Sequence, residues 1–323
     1  MDIVLRNIES ALFNSKMAKY SNTVYQIKNS NVEEKEMLKS LLKQGNCNEN
    51  HTVVEIDYSP ISENFSKRKG DFAGVEEFTF GENQPRIRIR NSPLYIYGKY
   101  VKMSREMCQT PLFINGVEKT CKNVSDFSGN FQKFFGASSV KFMGCGREDI
   151  DVRCLKGRPF VLEIVNPTRN LNPDQISVKL YKEIDIVDCY VVKRECKDFI
   201  NCTSPQKFYN LLIFSENKLN FEKIYNIEQK TPLRVLHRRA NMVRNKQIEV
   251  LRVSMLEKDG YYYDIDIKAS SGAYIKEWVT GDFNRTIPNL GADLLELDVI
   301  CVDLEIPKEY IINKVKLERL KDN

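Results

Sequence analysis

Histidine and paired cysteines are scarce in this chain. Only two histidines occur, His51 and His237, and none of the nine cysteines belongs to a Cys-x-x-Cys pair. Structural zinc sites usually combine such cysteine pairs with closely spaced histidines, so we expect no metal site of the ordinary spacing. The odd number of cysteines favours free thiols in a reducing compartment.

Long apolar runs are absent as well. The N-terminus has an acidic residue, Asp2, and lacks the apolar core of a secretory signal. No apolar run approaches the length needed to span a membrane, and neither internal repeats nor low-complexity tracts are evident. We therefore expect an intracellular, soluble protein of the nucleus, the cytoplasm or both, with no membrane partner.

The composition is that of an ordinary globular protein. The chain has 323 residues and a mass of 37.6 kDa, of which 42% of residues are hydrophobic and 29% charged. This length allows one large domain and a small one. The net charge of +5 and a pI of about 8.6 permit RNA binding without requiring it.

The hydrophobic pattern changes near residue 86. Residues 1–45 are predicted to be helical, Thr52–Ile56 is predicted to be a strand, and residues 57–85 are polar and rich in turn formers. We place a domain boundary there, which divides the chain into regions 1–85 and 86–323.

The second region alternates strands with a few helices. Two helices are predicted, at Val124–Phe135 and Ala273–Thr280, and an Asp-Gly pair at residues 259–260 predicts a hairpin between two strands. The other predicted strands are Arg86–Arg90, Leu94–Tyr97, Val140–Met143, Phe160–Val165, Ile186–Val192, Phe208–Phe214 and Leu294–Leu304. Without βαβ regularity, this pattern predicts an α+β fold around a mixed, largely antiparallel sheet flanked by helices.

The segment GREDIDVR, residues 146–153, is the most informative stretch. An acidic residue behind a Gly-Arg turn and ahead of an apolar strand is well placed to hold a carboxylate at the rim of a sheet. Asp149 is the first candidate, although an aspartate in a turn commonly only caps a backbone N–H. Glu148 and Asp151 are rivals, and strand alternation would put Asp149 and Asp151 on the same face.

Basic residues cluster around this segment and again further along the chain. They could form a solvated charged surface, or they could bind RNA phosphates. The candidates are Arg147, Arg153, Arg234, His237, Arg238, Arg239, Arg244 and Lys246.

Several segments, taken in order, resemble a known family. They are PLYIYGKY at 93–100, GREDIDVR at 146–153, GRPF at 157–160, KFY at 207–209, QKTPLRVLHRR at 229–239 and YIKE at 274–277. Over roughly residues 86–306 they resemble the tRNA pseudouridine synthases of the Pus ten family of archaea and eukaryotes. The block at 229–239 carries most of the specificity, because a bare Gly-Arg-x-Asp would not single out this family.

The resemblance implies a pseudouridine synthase fold with an RNA-binding cleft across a bent sheet. It implies a monomeric isomerase that needs no cofactor and converts uridine to pseudouridine in the T loop of tRNA, at position fifty-four, fifty-five or both. It selects Asp149 as nucleophile, Tyr209 for base stacking and proton transfer, and Lys276 as the ion-pair partner of Asp149. Ile275 and Leu297 would line the pocket, although both could equally be ordinary apolar core residues.

Relatives of this kind usually carry a larger N-terminal accessory domain of the THUMP type, with zinc-binding cysteine pairs. Region 1–85 would then be a reduced accessory region with an RNA-binding role, ahead of a catalytic domain at 86–323. A non-catalytic RNA-binding or RNA-chaperone module on the same fold is the alternative. A carboxylate-pair hydrolase would need a second acid opposite Asp149, and no motif supplies one.

Overall fold

The structure is a computed structural model that describes residues 2–15, 22–45, 51–59, 75–81, 84–114, 116–237 and 239–320. In chain order the helices are α1 Asp2–Asn14, α2 Val32–Leu41, α3 Ser128–Phe135, α4 Arg194–Cys202 and α5 Ile275–Thr280. Short 3-10 helices lie at Val124–Phe127, Leu233–Val235 and Lys308–Tyr310. In the part of the chain described, no helix is both long and apolar enough to cross a membrane.

The strands, again in chain order, are β1 Thr23–Lys28, β2 Thr52–Asp57, β3 Glu76–Phe78, β4 Arg86–Asn91, β5 Leu94–Lys102, β6 Phe113–Ile114, β7 Val117–Glu118, β8 Ser139–Gly144, β9 Arg153–Val165, β10 Gln175–Val178, β11 Ile184–Val192, β12 Lys207–Ser215, β13 Ile224–Lys230, β14 Val243–Glu257, β15 Tyr261–Ala269, β16 Thr286–Ile287, β17 Asp293–Val302, β18 Ile311–Lys314 and β19 Lys316–Arg319.

A small four-stranded sheet forms the N-terminal part, in the order β1-β2-β4-β3. Isoleucines alternate with arginines along β4, so Ile87 and Ile89 enter a core while Arg88 lies on the opposite face. Helices α1 and α2 contribute Ile8 and Leu38 to that core. On the polar face, the Arg88 guanidinium lies 2.8 Å from Glu55, so this face is held by ion pairs.

Strand β4 belongs to the small sheet rather than to the large one. It pairs with β2 and β3, and the chain enters the large sheet only at Leu94, where β5 begins. The boundary expected after residue 85 would separate β4 from the strands with which it pairs. The change of sheet falls at Ser92–Pro93.

The large sheet has eleven strands, in the order β16-β13-β14-β15-β12-β17-β9-β5-β11-β18, with β8 also paired to β9. Strand β9 is 13 residues long and has three neighbours: β5 along most of its length, β8 at its C-terminal half and β17 at its start. The β17–β9 contact is parallel and the other pairings in this sheet are antiparallel. The α+β class with a mixed, largely antiparallel sheet is therefore confirmed.

Aromatic side chains fill the core on one side of β9. Phe160 of β9 stacks on Phe142 of β8, with ring centroids 5.5 Å apart, and contacts Phe127 at 5.2 Å. Phe131 of α3 is fully buried and meets Phe127 edge to face at 6.0 Å. Such contacts add to the burial of apolar area, and they fix α3 against the centre of the sheet.

The predicted hairpin is confirmed. Strands β14 and β15 pair up to Glu257 and Tyr261, and the Lys258 amide donates to the Gly260 carbonyl at 2.9 Å. Gly260 has a φ of +125°, and a Cβ at this position would lie 2.5 Å from the ring of Phe214. The turn therefore requires glycine for both backbone and steric reasons.

The expectation of an all-helical N-terminal 45 residues is wrong in one place. Residues Thr23–Lys28 form β1, which runs parallel to β2 with Val24 opposite Val53. This segment contains Thr, Val, Tyr and Ile, which favour strands, and pairing with β2 outweighs its helical neighbours. The predicted strands at Thr52–Ile56 and Leu94–Tyr97 and the helix at Ala273–Thr280 lie within a residue or two of β2, the first half of β5, and α5.

Truncating Phe131 tests the aromatic core. Because this side chain is fully buried, Phe131→Ala should lower the free energy of unfolding by about 3–5 kcal/mol. Urea denaturation followed by far-UV circular dichroism measures the change. Phe113→Ala is the matched control, since Phe113 is 61% exposed, and it should shift the free energy by less than about 0.5 kcal/mol.

Candidate active site

A pocket of about 460 Å³ opens where the loop before β9 meets β12, β17 and α5. This size suits a small ligand or a single base. The pocket contains all five residues that the sequence analysis assigned to the catalytic centre and its walls. They are Asp149, Tyr209, Ile275, Lys276 and Leu297.

The Asp149 carboxylate lies between two cations from distant parts of the chain. Lys276 Nζ, at the start of α5, is 3.4 Å from Asp149 Oδ2, which is within the 4 Å that defines an ion pair. Arg234, in the 3-10 helix after β13, places Nη1 3.0 Å from the same oxygen and 3.2 Å from Oδ1. Two positive charges thus orient a carboxylate that is one-third exposed.

These three residues belong to a row of five alternating charges. Lys276 also binds Asp151, with Nζ 2.8 and 2.7 Å from its two oxygens, and Arg234 Nε is 2.6 Å from Glu277 Oε1. Burial by itself would raise the pKa of Asp151, but the hydrogen bond and charge of Lys276 outweigh it and the pKa is lowered. Each carboxylate of the row therefore has a cationic neighbour within ion-pair distance.

The residue before Asp149 points the other way, into the core. The Glu148 side chain is fully buried, with Oε2 2.8 Å from Nε of the equally buried Arg158. The Tyr100 hydroxyl donates to Glu148 at 2.7 Å, and Gln109 Nε2 donates both to that hydroxyl at 2.7 Å and to the Gly146 carbonyl at 2.9 Å. Since Tyr100 and Arg158 face each other on β5 and β9, this network fastens the loop to two paired strands.

A second buried cation holds the backbone of the loop. Lys102 Nζ, at the end of β5, donates to the carbonyls of Met107 at 2.8 Å, Ile150 at 2.9 Å and Asp149 at 3.2 Å. Burial lowers the pKa of Lys102 below its usual value. The nucleophile candidate is therefore fixed through its own main chain as well as through its neighbour Glu148.

The loop geometry corrects the expectation of strand alternation around Asp149. Residues 147–151 form a loop and a turn, and β9 begins only at Arg153. Glu148 turns inward to Arg158, whereas Asp149 and Asp151 both reach Lys276. Of the three rival carboxylates, Asp149 and Glu148 line the pocket, and Glu148 is committed to its buried partner.

Tyr209 and aliphatic side chains make up the dry side of the pocket. Tyr209 lies on β12 opposite Val299 of β17, and Leu211 pairs with Leu297. Burial raises the pKa of Tyr209, so its hydroxyl stays protonated at neutral pH. Ile275 and Leu297 are 4% and 8% exposed, and the described residues contain no group of three metal-binding side chains.

Arg234 was expected to bind phosphate in a basic loop, and in the structure it is already paired with carboxylates. Its guanidinium is engaged by Asp149 and Glu277 inside the pocket, where two carboxylates use the charge. Arg153 is engaged as well, with Nε 3.1 Å from Asp298, which also binds Arg105 at 3.0 Å. Both charges are therefore paired with carboxylates, and their contact with RNA phosphates stays a prediction.

The other basic candidates lie around the rim or nearby. Arg147 and Arg239 line the pocket, and Lys246 Nζ would lie 3.7 Å from a Cβ built on Gly272, another pocket residue. Arg244 donates to Thr231 at 2.8 Å and His237 is exposed. Arg238 lies outside the described residues.

Three charged residues of the site, Arg158, Lys207 and Glu277, were not among the predicted site residues. Arg158 was quoted only as part of the GRPF motif, Lys207 only as part of KFY, and Glu277 only as part of YIKE. All three are structural neighbours of predicted residues: Arg158 and Lys207 line the pocket, and Glu277 holds Arg234. Their place in the family motifs was the available signal, since a pattern of charge alone does not reveal burial.

The Glu148–Arg158 pair should dominate the stability of the loop. Glu148→Gln leaves a buried guanidinium without its counter-charge, so the free energy of unfolding should fall by about 3–5 kcal/mol. The double variant Glu148→Gln/Arg158→Met should lose less than the sum of the two single losses. Urea denaturation provides all four values. Asp264→Asn, which breaks the exposed Arg252–Asp264 pair, should cost less than about 1 kcal/mol, and a comparable loss at both sites would contradict the buried network.

Curated proteins from eukaryotes and archaea resemble this chain, and three of them serve as examples. It is 36% identical over 245 residues to "tRNA pseudouridine synthase Pus10" of Xenopus laevis, covering 68% of this chain and 47% of the relative. The protein of the same name from Homo sapiens is 35% identical, with coverages of 72% and 50%. That of Methanothrix thermoacetophila is 31% identical, with coverages of 72% and 57%. The chain thus spans about half the length of the curated relatives it matches.

Among solved structures, the chain is similar to the "Crystal Structure of a Cbf5-Nop10-Gar1 Complex", with a TM-score of 0.33 and 15% identity over 63% of this chain and 48% of that one. A similarity of this size does not by itself define a fold. The family description "Pus10, C-terminal" matches residues 95–306, from the first residues of β5 to just beyond β17, and this span includes every residue of the pocket. The chain belongs to this family, whose curated members occur in eukaryotes and archaea.

Proposed function

We propose that this protein isomerises uridine to pseudouridine in tRNA, with Asp149 as nucleophile. The observation that carries the proposal is a single carboxylate, clamped by Lys276 and Arg234, at the mouth of a pocket with a tyrosine and aliphatic walls. The names of the relatives, all tRNA pseudouridine synthases, support the same reaction.

The proposed roles follow from the chemistry of the isomerisation. The bond between C1′ of the ribose and N1 of the uracil must break, and a new bond must form between C1′ and C5. An ionised Asp149 attacks near C1′, and its two cations hold it in one orientation. Tyr209 stacks on the extruded base, and because its hydroxyl is protonated it is better placed to donate a proton than to accept one. The proposed steps involve no net oxidation or reduction, so we propose that the reaction proceeds without a cofactor.

We place the target in the T loop of tRNA, at uridine fifty-four, fifty-five or both, from the family resemblance. Arg147, Arg239 and Lys246 lie at or near the pocket rim and are suited to bind phosphates beside the extruded base. Nuclear or cytoplasmic location and action as a monomer remain part of this proposal. Residues 1–85 are proposed to be an accessory region that helps to position the RNA.

A non-catalytic RNA-binding module is the alternative. Such a module needs basic residues at its surface, and it has no use for a carboxylate that would repel phosphates. Here Asp149 is braced by two cations at its side chain and by Lys102 at its backbone. Three charged residues thus hold one aspartate in place, which favours a catalytic role for it.

Removing the Asp149 charge provides the direct test. Asp149→Asn should lower pseudouridine formation in tRNA by at least about a thousandfold, because the amide cannot attack C1′, while the dissociation constant for tRNA changes little. Pseudouridine mapping after incubation with purified protein measures the activity. Asp151→Asn is the matched control: its side chain is 63% exposed, and the variant should keep activity within about tenfold of the wild type. Full activity in Asp149→Asn together with loss in Asp151→Asn would reassign the nucleophile.

The rim residues should act through phosphates rather than bases. Arg239→Ala and Lys246→Ala should each weaken binding of any tRNA and flatten the plot of log affinity against log salt concentration by roughly 0.7–0.9 units. Arg252→Ala is the control, since this exposed arginine is held by Asp264 and Asp266 on β15, and its slope should match the wild type. Unchanged slopes for all three variants would place the RNA path elsewhere.

A further inference from the structure

Lys207 is a cation that the roles proposed above leave unused. It lies on β12 two residues before Tyr209, so both side chains leave the strand on the same face, and both line the pocket. Its ammonium reaches the turn before Asp149: a Cβ built on Gly146 would lie 3.0 Å from Lys207 Nζ and 3.2 Å from Arg158 Nη1. Gly146, with a φ of +76°, leaves the space that this ammonium occupies.

Three other basic groups of the pocket are paired with carboxylates, whereas Lys207 is not. Arg158 has Glu148, Arg234 has Asp149 and Glu277, and Lys276 has Asp149 and Asp151. Among the residues that the structure describes, no carboxylate oxygen lies within ion-pair distance of Lys207 Nζ. Its charge is therefore available to a ligand that enters the pocket.

The surroundings of Lys207 set its ionisation. Four groups on the elements packed against it affect its charge: Arg158 and Cys154 of β9, Cys145 after β8, and Glu148 of the loop. Burial first, and the like charge of Arg158 second, lower the pKa of Lys207 to about 8. Most of the lysine is thus charged at neutral pH, and the charge is lost as the pH rises through about 8.

We propose that Lys207 is a catalytic residue that donates a hydrogen bond from its ammonium to a carbonyl oxygen of the target uracil. When the N1–C1′ bond breaks, its electron pair stays with the base, and the negative charge spreads over N1, C5 and the two carbonyl oxygens. C1′ meanwhile bonds to Asp149. C5 then attacks C1′ and displaces the Asp149 carboxylate, the C5 proton passes to water, and N1 takes a proton from water, so Lys207 ends the cycle with its own proton in place.

The physical basis is stabilisation of a charge that develops during the reaction. A fixed cation in a largely dry pocket costs no reorganisation when the anion forms, and it favours the broken bond more than the intact nucleoside. Tyr209, whose pKa is raised above its ordinary value of 10, cannot account for a titration near pH 8. This inference rests on the proposed isomerase activity and adds a residue to it.

Single-turnover kinetics on tRNA labelled with tritium at C5 of uridine test the proposal, because tritium is released only when C5 has bonded to C1′. Lys207→Met should slow release by about a hundredfold, while the dissociation constant for tRNA stays within about twofold. The wild-type rate should fall as pH rises through about 8. Lys207→Arg keeps its charge throughout this range, so it should recover much of the rate and lose that alkaline decline.

Lys314→Met is the matched control and should behave as the wild type, because Lys314 is exposed and lies on β18 at the far edge of the sheet. Thermal unfolding of each variant separates lost chemistry from lost structure: a slow Lys207→Met with a normal unfolding midpoint supports the proposal. Wild-type rates in Lys207→Met, or an unchanged alkaline decline in Lys207→Arg, would overturn it while leaving the isomerase assignment intact. A wild-type protein that releases no tritium from any tRNA would overturn both.

Discussion

The ion pair between Glu148 and Arg158 is the contact on which the rest of the site depends. Both side chains are fully buried, and the pair is tied through Tyr100 and Gln109 to the backbone of the loop. Burying two charges is costly unless their geometry and hydrogen bonds compensate. This arrangement forces one residue of the loop inward, and so it presents the next residue, Asp149, at the pocket mouth.

Charge is distributed in two layers around that pocket. At the mouth, the alternating row from Asp151 to Glu277 is partly solvated, and each carboxylate has a cation beside it. Beneath it, the Arg158 guanidinium and the Lys207 ammonium both reach the turn at Gly146. Glu148 provides the single carboxylate of this inner layer, and it is paired with Arg158. The outer layer orients the Asp149 carboxylate, whereas the inner layer has an excess of positive charge that suits an anionic species in the pocket.

How far the sequence leads differs between fold and site. Alternation and turn residues predicted the strands around Asp259-Gly260 and at Leu94–Tyr97, because those signals are local. The different surroundings of the three carboxylates are not a local signal: Glu148, Asp149 and Asp151 are equivalent by composition, and burial of Glu148 depends on Arg158, ten residues on. Arg234 looked like one more phosphate binder in a basic run. Only the folded chain shows that Glu277 and Asp149 are close enough to form ion pairs with Arg234.

The central position of strand β9 determines how easily the inner and outer layers of the site can open. It is paired to three strands and carries Arg158 in its middle, so the inner layer can be exposed only by opening the centre of the sheet. Its amides belong among the slowest to exchange with deuterium, whereas Arg234 sits in a short 3-10 helix at the surface, where opening costs far less. Separation of Glu148 from Arg158 should therefore require opening of the domain itself, whereas separation of Arg234 from Asp149 should be compatible with an intact fold.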